Sequence, residues 1–143
     1  MSAKANFSNI YKFYDLVNAV LTLGFDKSWR EKATSNLIKN SVLDLGSGTG
    51  AAYNQLINFE TTAIDPDKKM LELNTFENKV LGSAENIPFE DNSFQGISCV
   101  YLFHELPRTI RENVLKEFYR VIEPGGILVL ADSIQINDSP DFI

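Results

Sequence analysis

The chain predicts an α/β fold in which a parallel sheet is sandwiched between two layers of helices. Three observations carry that prediction. An apolar run at residues 42–45 enters a turn with glycines at 46, 48 and 50, and a helix-like segment at 51–57 follows. Short apolar runs then alternate with helical patterns as far as residue 131. The first two strands carry an acid near or at their carboxyl ends, Asp44 and Asp65, where open α/β sheets hold ligands.

The elements follow in order. Phe7, Ile10, Tyr11, Tyr14, Val17 and Leu21 recur every three or four residues, which predicts an amphipathic helix over 6–22 with Gly24 as its stop. A second helix is expected over about 27–38, with Trp29, Ala33 and Leu37 on one face. The first strand, 42–46, and its helix, 51–57, flank the glycine turn. The second strand spans 61–65, and Pro66 suits the opening turn of a helix over 66–74. A short third strand lies at 79–82 and a fourth at 95–101, after the turn Glu90-Asp91-Asn92-Ser93. Ile110, Val114, Phe118, Val121 and Ile122 mark a helix over 108–122 that Pro124-Gly125-Gly126 ends. The fifth strand is 127–131, and the polar stretch 132–143 reads as irregular. Right-handed crossovers place a topological switch point beside the first strand.

Composition narrows the function. The 143 residues suit one domain, with residues 1–40 as N-terminal helices, 41–132 as core and 133–143 as tail. A net charge of -6 opposes a nucleic-acid footprint, which needs a basic face. No run of 18 apolar residues is present, so no transmembrane helix is expected, and no signal-peptide pattern opens the chain; the cytoplasm is the expected location. The single cysteine, Cys99, falls in an apolar run and reads as a buried thiol. One His and one Cys cannot build a His/Cys metal cluster.

The chemistry gathers at the strand ends. The turn reads G-x-G-x-G with an acid two residues ahead, where a dinucleotide site expects G-x-G-x-x-G; an NAD-linked enzyme is therefore the disfavoured alternative. Asp65, 19 residues after Gly46, can accept two hydrogen bonds from a ribose diol or cap the following helix. Asp44 can orient the turn or attract a ligand's ammonium group. Ser83, Ala84 and Glu85 follow the third strand, where main-chain N–H groups can read an adenine edge. His104, the only histidine, follows the fourth strand and is a candidate general base as well as a capping residue. Tyr14, Tyr101 and Phe103 can wall a substrate site or belong to the core. Glu112, Lys116, Glu117 and Arg120 read as a solvated helix face with i,i+4 pairing and no function.

With these residues in place, the chain resembles the class I S-adenosylmethionine (SAM)-dependent methyltransferases, and most of all those of ubiquinone and menaquinone biosynthesis (methyltransferase type 11). Tyr14-Asp15-Leu16-Val17-Asn18 with Trp29-Arg30, the glycine turn, Ala63-Ile64-Asp65, the stretch 82–89, Asp91-Asn92-Ser93-Phe94 and the stretch 118–126 carry the likeness. It implies a Rossmann-like sheet in the order 3-2-1-4-5, with SAM as cofactor. Asp44, Gly46, Ser47, Gly48 and Gly50 would hold its methionine part and Asp65 its ribose. Ser83, Ala84, Glu85, Pro66 and Met70 would lie around the adenine, and Tyr101 near the donor. Tyr14 and His104 would face a small-molecule methyl acceptor, quinone-like or otherwise aromatic. Ser83 stands where the family usually has an acid. The family fold usually continues with a sixth and seventh strand, so the fifth strand is expected at an exposed edge that a homodimer could cover. A catalytically silent SAM-binding module in a complex is the alternative function.

Overall fold

A computed structural model describes residues 25–38 and 40–132. The expected helix over 6–22, with Tyr14, and the tail at 133–143 lie outside the described residues.

The elements are α1 (Phe25–Thr34), β1 (Ser41–Leu45), α2 (Tyr53–Leu56), β2 (Glu60–Asp65), α3 (Lys68–Leu73), β3 (Asn78–Leu81), β4 (Phe94–Val100), α4 (Arg108–Val121) and β5 (Ile122–Ala131). A 3-10 turn, Phe103–Glu105, separates β4 from α4. The described strands form one sheet in the order β3-β2-β1-β4-β5, and every pairing is parallel. The order reverses at β1, between β2 and β4, so the crevice above its carboxyl end is the switch point.

Strand alternation divides the core into two layers. Leu43 and Leu45 of β1 join Ile64, Ile97 and Cys99 beneath Val114, Phe118 and Val121 of α4. Val42 points the other way and packs with Ala63, Leu37, Ala52, Leu56 and Phe76. Burying Phe118 alone contributes roughly 1.5–3 kcal/mol. Asp44 alternates with Leu43 and Leu45, so it shares Val42's face, beneath α1 and α2.

Three boundaries differ from the sequence reading for physical reasons. Helix α1 ends at Thr34 rather than near 38, because Leu37 leaves the helix to enter the core. Helix α3 starts at Lys68, and Pro66 lies outside it. Asp67 is the better cap, and its side chain accepts from the N–H groups of Lys69 and Met70. Pro124-Gly125-Gly126 does not separate α4 from β5. The ladder begins at Ile122, opposite Phe94, and shifts register before Gly96 pairs with Ile127. The glycines form this bulge. Gly125 has φ +80°, and a Cβ on Gly126 would lie 2.9 Å from the Gln95 carbonyl oxygen.

Strand β5 is an edge of the described sheet. Leu128 and Leu130 are 40% and 46% exposed there. A groove of about 480 Å³ beside α4 and another of about 470 Å³ beside α1 flank it, both away from the glycine turn.

Candidate functional site

The site grows from the turn that leaves β1. Gly46, Gly48 and Gly50 have φ of +65°, +52° and +87°, which explains the alternate glycines: each position is left-handed. The turn is fastened on two sides. Ser47 donates its N–H to the Ile64 carbonyl at 3.1 Å, and Gly50 donates to the Ser47 carbonyl at 2.8 Å. From the other side the Asn74 amide donates to the Gly48 carbonyl at 2.9 Å and to Ser47 Oγ at 3.1 Å. Asn74 is buried, and its Oδ1 accepts the Phe76 N–H at 2.9 Å.

Asp65 closes β2 directly against the turn. Its Oδ2 accepts the Gly48 N–H at 2.9 Å and its Oδ1 the Asp67 N–H at 2.8 Å. The cap of α3 is thus Asp67, and Asp65 faces the crevice. Burial pushes the Asp65 carboxyl above its ordinary range, and the two N–H donors pull it back. A carboxylate offers roughly four acceptor sites, so two backbone bonds leave capacity for a diol.

Asp44 lies deeper, opposite Ser98 in the β1–β4 register. Burial raises its carboxyl to about 6, while the Arg30 charge favours its ionised form. Arg30 comes from α1, and its guanidinium carbon sits 5.0 Å from the centre of the Tyr101 ring, a cation–π distance. Trp29 meets the same ring edge-on, centroids 6.5 Å apart. Tyr101 has φ +61°, rare for a bulky side chain, and its N–H is anchored to the Ala131 carbonyl at 2.8 Å. This backbone reverses the chain at the mouth of β4. Leu102 then covers the turn, close enough that a Cβ on Gly46 would meet it at 3.1 Å.

His104 follows within the 3-10 turn. Its Nδ1 lies 2.7 Å from Asp132 Oδ1, and its N–H donates to Asp132 Oδ2 at 3.1 Å. Asp132, just beyond β5, therefore fixes both the ring and its main chain. With Nδ1–H donating to the carboxylate, the basic lone pair of a neutral ring is on Nε2. Glu105 lies 3.9 Å from Nε2; burial raises its carboxyl and the neighbouring His104 opposes the shift.

On the other flank, Ser83 Oγ accepts the Glu85 N–H at 3.2 Å, and Ser83 bridges to Asn86. Ala84 packs in the core, so only its main chain can face a ligand; Glu85 and Pro66 are exposed and Met70 is half-buried. This loop is clamped from α4. Arg120 donates to the carbonyls of Ile87 and Phe89 at 2.9 and 2.7 Å and to Asp91 at 3.1 Å. Glu117 holds Arg120 at 2.7 Å and accepts the Ile87 N–H at 2.8 Å. The solvated-face reading holds for Glu112 and Lys116, paired at 2.8 Å, and is corrected for Glu117 and Arg120. Asn74 and this clamp were not singled out from sequence, and Asp132 was read only as a strand-end residue with no assigned role.

Comparison with known proteins gives one family. Residues 43–130 match the methyltransferase domain family. A demethylmenaquinone methyltransferase of Thermotoga maritima is 33% identical over 142 residues, covering 92% of this chain and 61% of its own length. A ubiquinone/menaquinone biosynthesis C-methyltransferase of Rickettsia bellii is 28% identical over 153 residues, with 93% and 61% covered. Among solved structures, a SAM-dependent methyltransferase from Thermotoga maritima superposes with a TM-score of 0.67 at 25% identity, covering 85% of this chain and 59% of that one. The chain spans about three-fifths of the length of the curated relatives it matches. Among the described residues no helix is long and apolar enough to cross a membrane.

Proposed function

The chain belongs to the methyltransferase domain family, and from that membership we propose that it transfers a methyl group from SAM to a small-molecule acceptor, a quinone-like or other aromatic ring. The observation that carries this reading is the joining of the glycine turn to Asp65, whose Oδ2 accepts the Gly48 N–H at 2.9 Å. A diol-binding carboxylate and a backbone cradle thereby share one crevice at the switch point. The residues suit the cofactor: a Cβ on Gly48 would meet nothing within 4 Å, so the space in front of the turn admits a ligand against the main chain.

SAM supplies a methyl group on a positively charged sulfonium. The residues of the chain bind and orient. Gly46, Ser47, Gly48 and Gly50 line the methionine end, with Asp44 behind them. Asp65 takes the ribose hydroxyls. Ser83, Glu85 and the main chain of Ala84 border the adenine, with Pro66 and Met70 beside it. Tyr101 and Leu102 set the donor against the acceptor, and alignment of an already activated methyl supplies much of the acceleration. His104 is the candidate base: with SAM bound, its methyl carbon would pass to the acceptor as the carbon–sulfur bond breaks and the neutral thioether leaves, and Nε2 would take the proton the acceptor atom releases while Asp132 steadies the imidazolium. The acceptor class is supported by the relatives' names, demethylmenaquinone and ubiquinone/menaquinone methyltransferases. We place this activity in the cytoplasm, and the β5 edge is the surface a second subunit would cover.

Calorimetric titration with S-adenosylhomocysteine, with NAD as control, tests the cofactor. The protein should bind the first and not the second. Asp65→Ala should weaken binding about 10–100-fold, the worth of a charge-assisted hydrogen-bond pair. Unchanged affinity in a folded Asp65→Ala protein contradicts the assignment.

A further inference from the structure

We propose that Trp29 is the acceptor-contacting wall of the site: the planar ring that receives the methyl group stacks on Trp29 and Phe25, beside Tyr101. The inference rests on the methyl-transfer reading and deepens it by naming side chains that select a flat acceptor.

The aromatic residues that follow β4 part company. Phe103 turns into the core, its ring centre 6.0 Å from that of Phe118. Tyr101 turns instead toward α1, where Trp29 meets it edge-on. It does so at φ +61°, a region that bulky side chains avoid and that persists only where the surroundings over-determine it. Here the Ala131 carbonyl holds its N–H at 2.8 Å, and the Arg30 guanidinium lies 5.0 Å from its ring centre. Trp29 in turn is stacked with Phe25, centroids 6.1 Å apart and planes 19° apart. The outer members of this ladder stay in contact with solvent, Phe25 at 56% and Trp29 at 48% exposure. Single exposed aromatics are common, but a contiguous stack at the mouth of a crevice offers a planar ligand the offset and edge-on contacts that rings prefer.

The ladder is also joined to the candidate base. Trp29 and Ala33 of α1 face Ile127, Val129 and Ala131 of β5 across the groove of about 470 Å³. The groove reaches Ala131, whose carbonyl holds Tyr101, and the next residue, Asp132, holds His104. Aromatic wall and base are thus fastened to consecutive residues at one strand end, and the groove is the acceptor's approach. An aromatic trio that served only to dock α1 on β5 would have no affinity for a flat ligand.

Trp29 is the only tryptophan of the chain, so its fluorescence reports this wall alone. The full chain, with and without S-adenosylhomocysteine, is titrated with 2,3-dimethyl-1,4-naphthoquinone, a flat quencher whose blocked ring cannot alkylate a thiol. Cyclohexane-1,4-dione, which has the carbonyls and no aromatic plane, is the control. The expected result is saturable quenching at micromolar naphthoquinone and none by the control. Quenching that only rises linearly, as for free N-acetyltryptophanamide, overturns the proposal. By calorimetry Trp29→Leu should lose about tenfold in naphthoquinone affinity and Trp29→Phe less than about threefold, with S-adenosylhomocysteine affinity kept within about twofold. Equal losses for both ligands, or undiminished naphthoquinone affinity in Trp29→Leu, overturn it as well. If Trp29→Leu does not fold, the wild-type titration decides. Failure of wild type to bind S-adenosylhomocysteine overturns the methyl-transfer reading, while quenching measured without that ligand reports the wall separately.

Discussion

Gly48 and Gly50 share a turn and a left-handed backbone, yet alanine at each should damage a different property. At Gly48 the φ of +52° costs a non-glycine residue roughly 1–2 kcal/mol. An added methyl meets nothing within 4 Å there, so no packing term joins the backbone term. At Gly50 the φ of +87° carries a similar backbone cost, and the methyl would lie 3.0 Å from Asn74 Oδ1 and 3.2 Å from the Thr75 main-chain nitrogen. Asn74 is buried and bonded to Ser47, Gly48 and Phe76, so it cannot move without breaking those bonds. Overpacking adds roughly 1–3 kcal/mol, for a total near 2–5 kcal/mol. Urea denaturation should therefore rank Gly50→Ala well below Gly48→Ala in stability. Titration with S-adenosylhomocysteine should rank them in reverse, because the Gly48 methyl occupies the space the ligand enters. Equal destabilisation, or full ligand affinity in Gly48→Ala, would refute the reasoning.

Two further expectations concern charge. Burial holds the Asp44 carboxyl at about 6 against an ordinary 3.8, so the folded state binds a proton that the unfolded chain releases. Stability then rises as pH falls through this window, by about 1 kcal/mol between pH ~7 and ~5. Asp65 and Glu105 are displaced in the same direction and add to the slope. Affinity for S-adenosylhomocysteine should fall over the same window, since protonated Asp44 no longer attracts an ammonium; denaturation and titration across pH check the opposite signs, and a shallower stability profile in Asp44→Asn, with the part due to Asp65 and Glu105 remaining, assigns the Asp44 share of the slope. Arg120→Ala should cost about 1.5–3 kcal/mol by releasing the Ile87 and Phe89 carbonyls. Amide exchange should accelerate at residues 87–91 while β1 stays protected, and unchanged exchange there would remove the clamp.

Most of the strands were readable as apolar runs bounded by a turn signal and followed by a helical period, and their order in the sheet was an implication of the family resemblance. The glycine turn was readable because left-handed backbone leaves a mark in residue type. The Asp65 ambiguity resolved through a residue next to it: with Asp67 as cap, the Asp65 side chain was left for the turn. Pro124-Gly125-Gly126 looked like a terminator, since a bulge and a break use the same residues; only the partner strand distinguishes them. Glu117 and Arg120 have the spacing of a surface pair, and their partners are main-chain carbonyls, which have no signature in sequence. Asn74 escaped for the same reason. What each does is decided by atoms brought close by the fold, and a local pattern does not record them.

Strand β1 lies at the centre of the sheet, and this sets when the site can form during folding. Its turn closes through Asp65, 17 residues from Gly48, and through Asn74, 26 residues away. The register partner of Asp44 is on β4, which β2, α3 and β3 separate from β1 along the chain. Each closure spends chain entropy before a contact repays it, so non-local parallel pairings come late. The crevice is therefore absent from any partly folded chain that lacks β4. Regain of ligand binding after dilution from denaturant times the docking of the last central strand, and it should lag behind the recovery of helical signal.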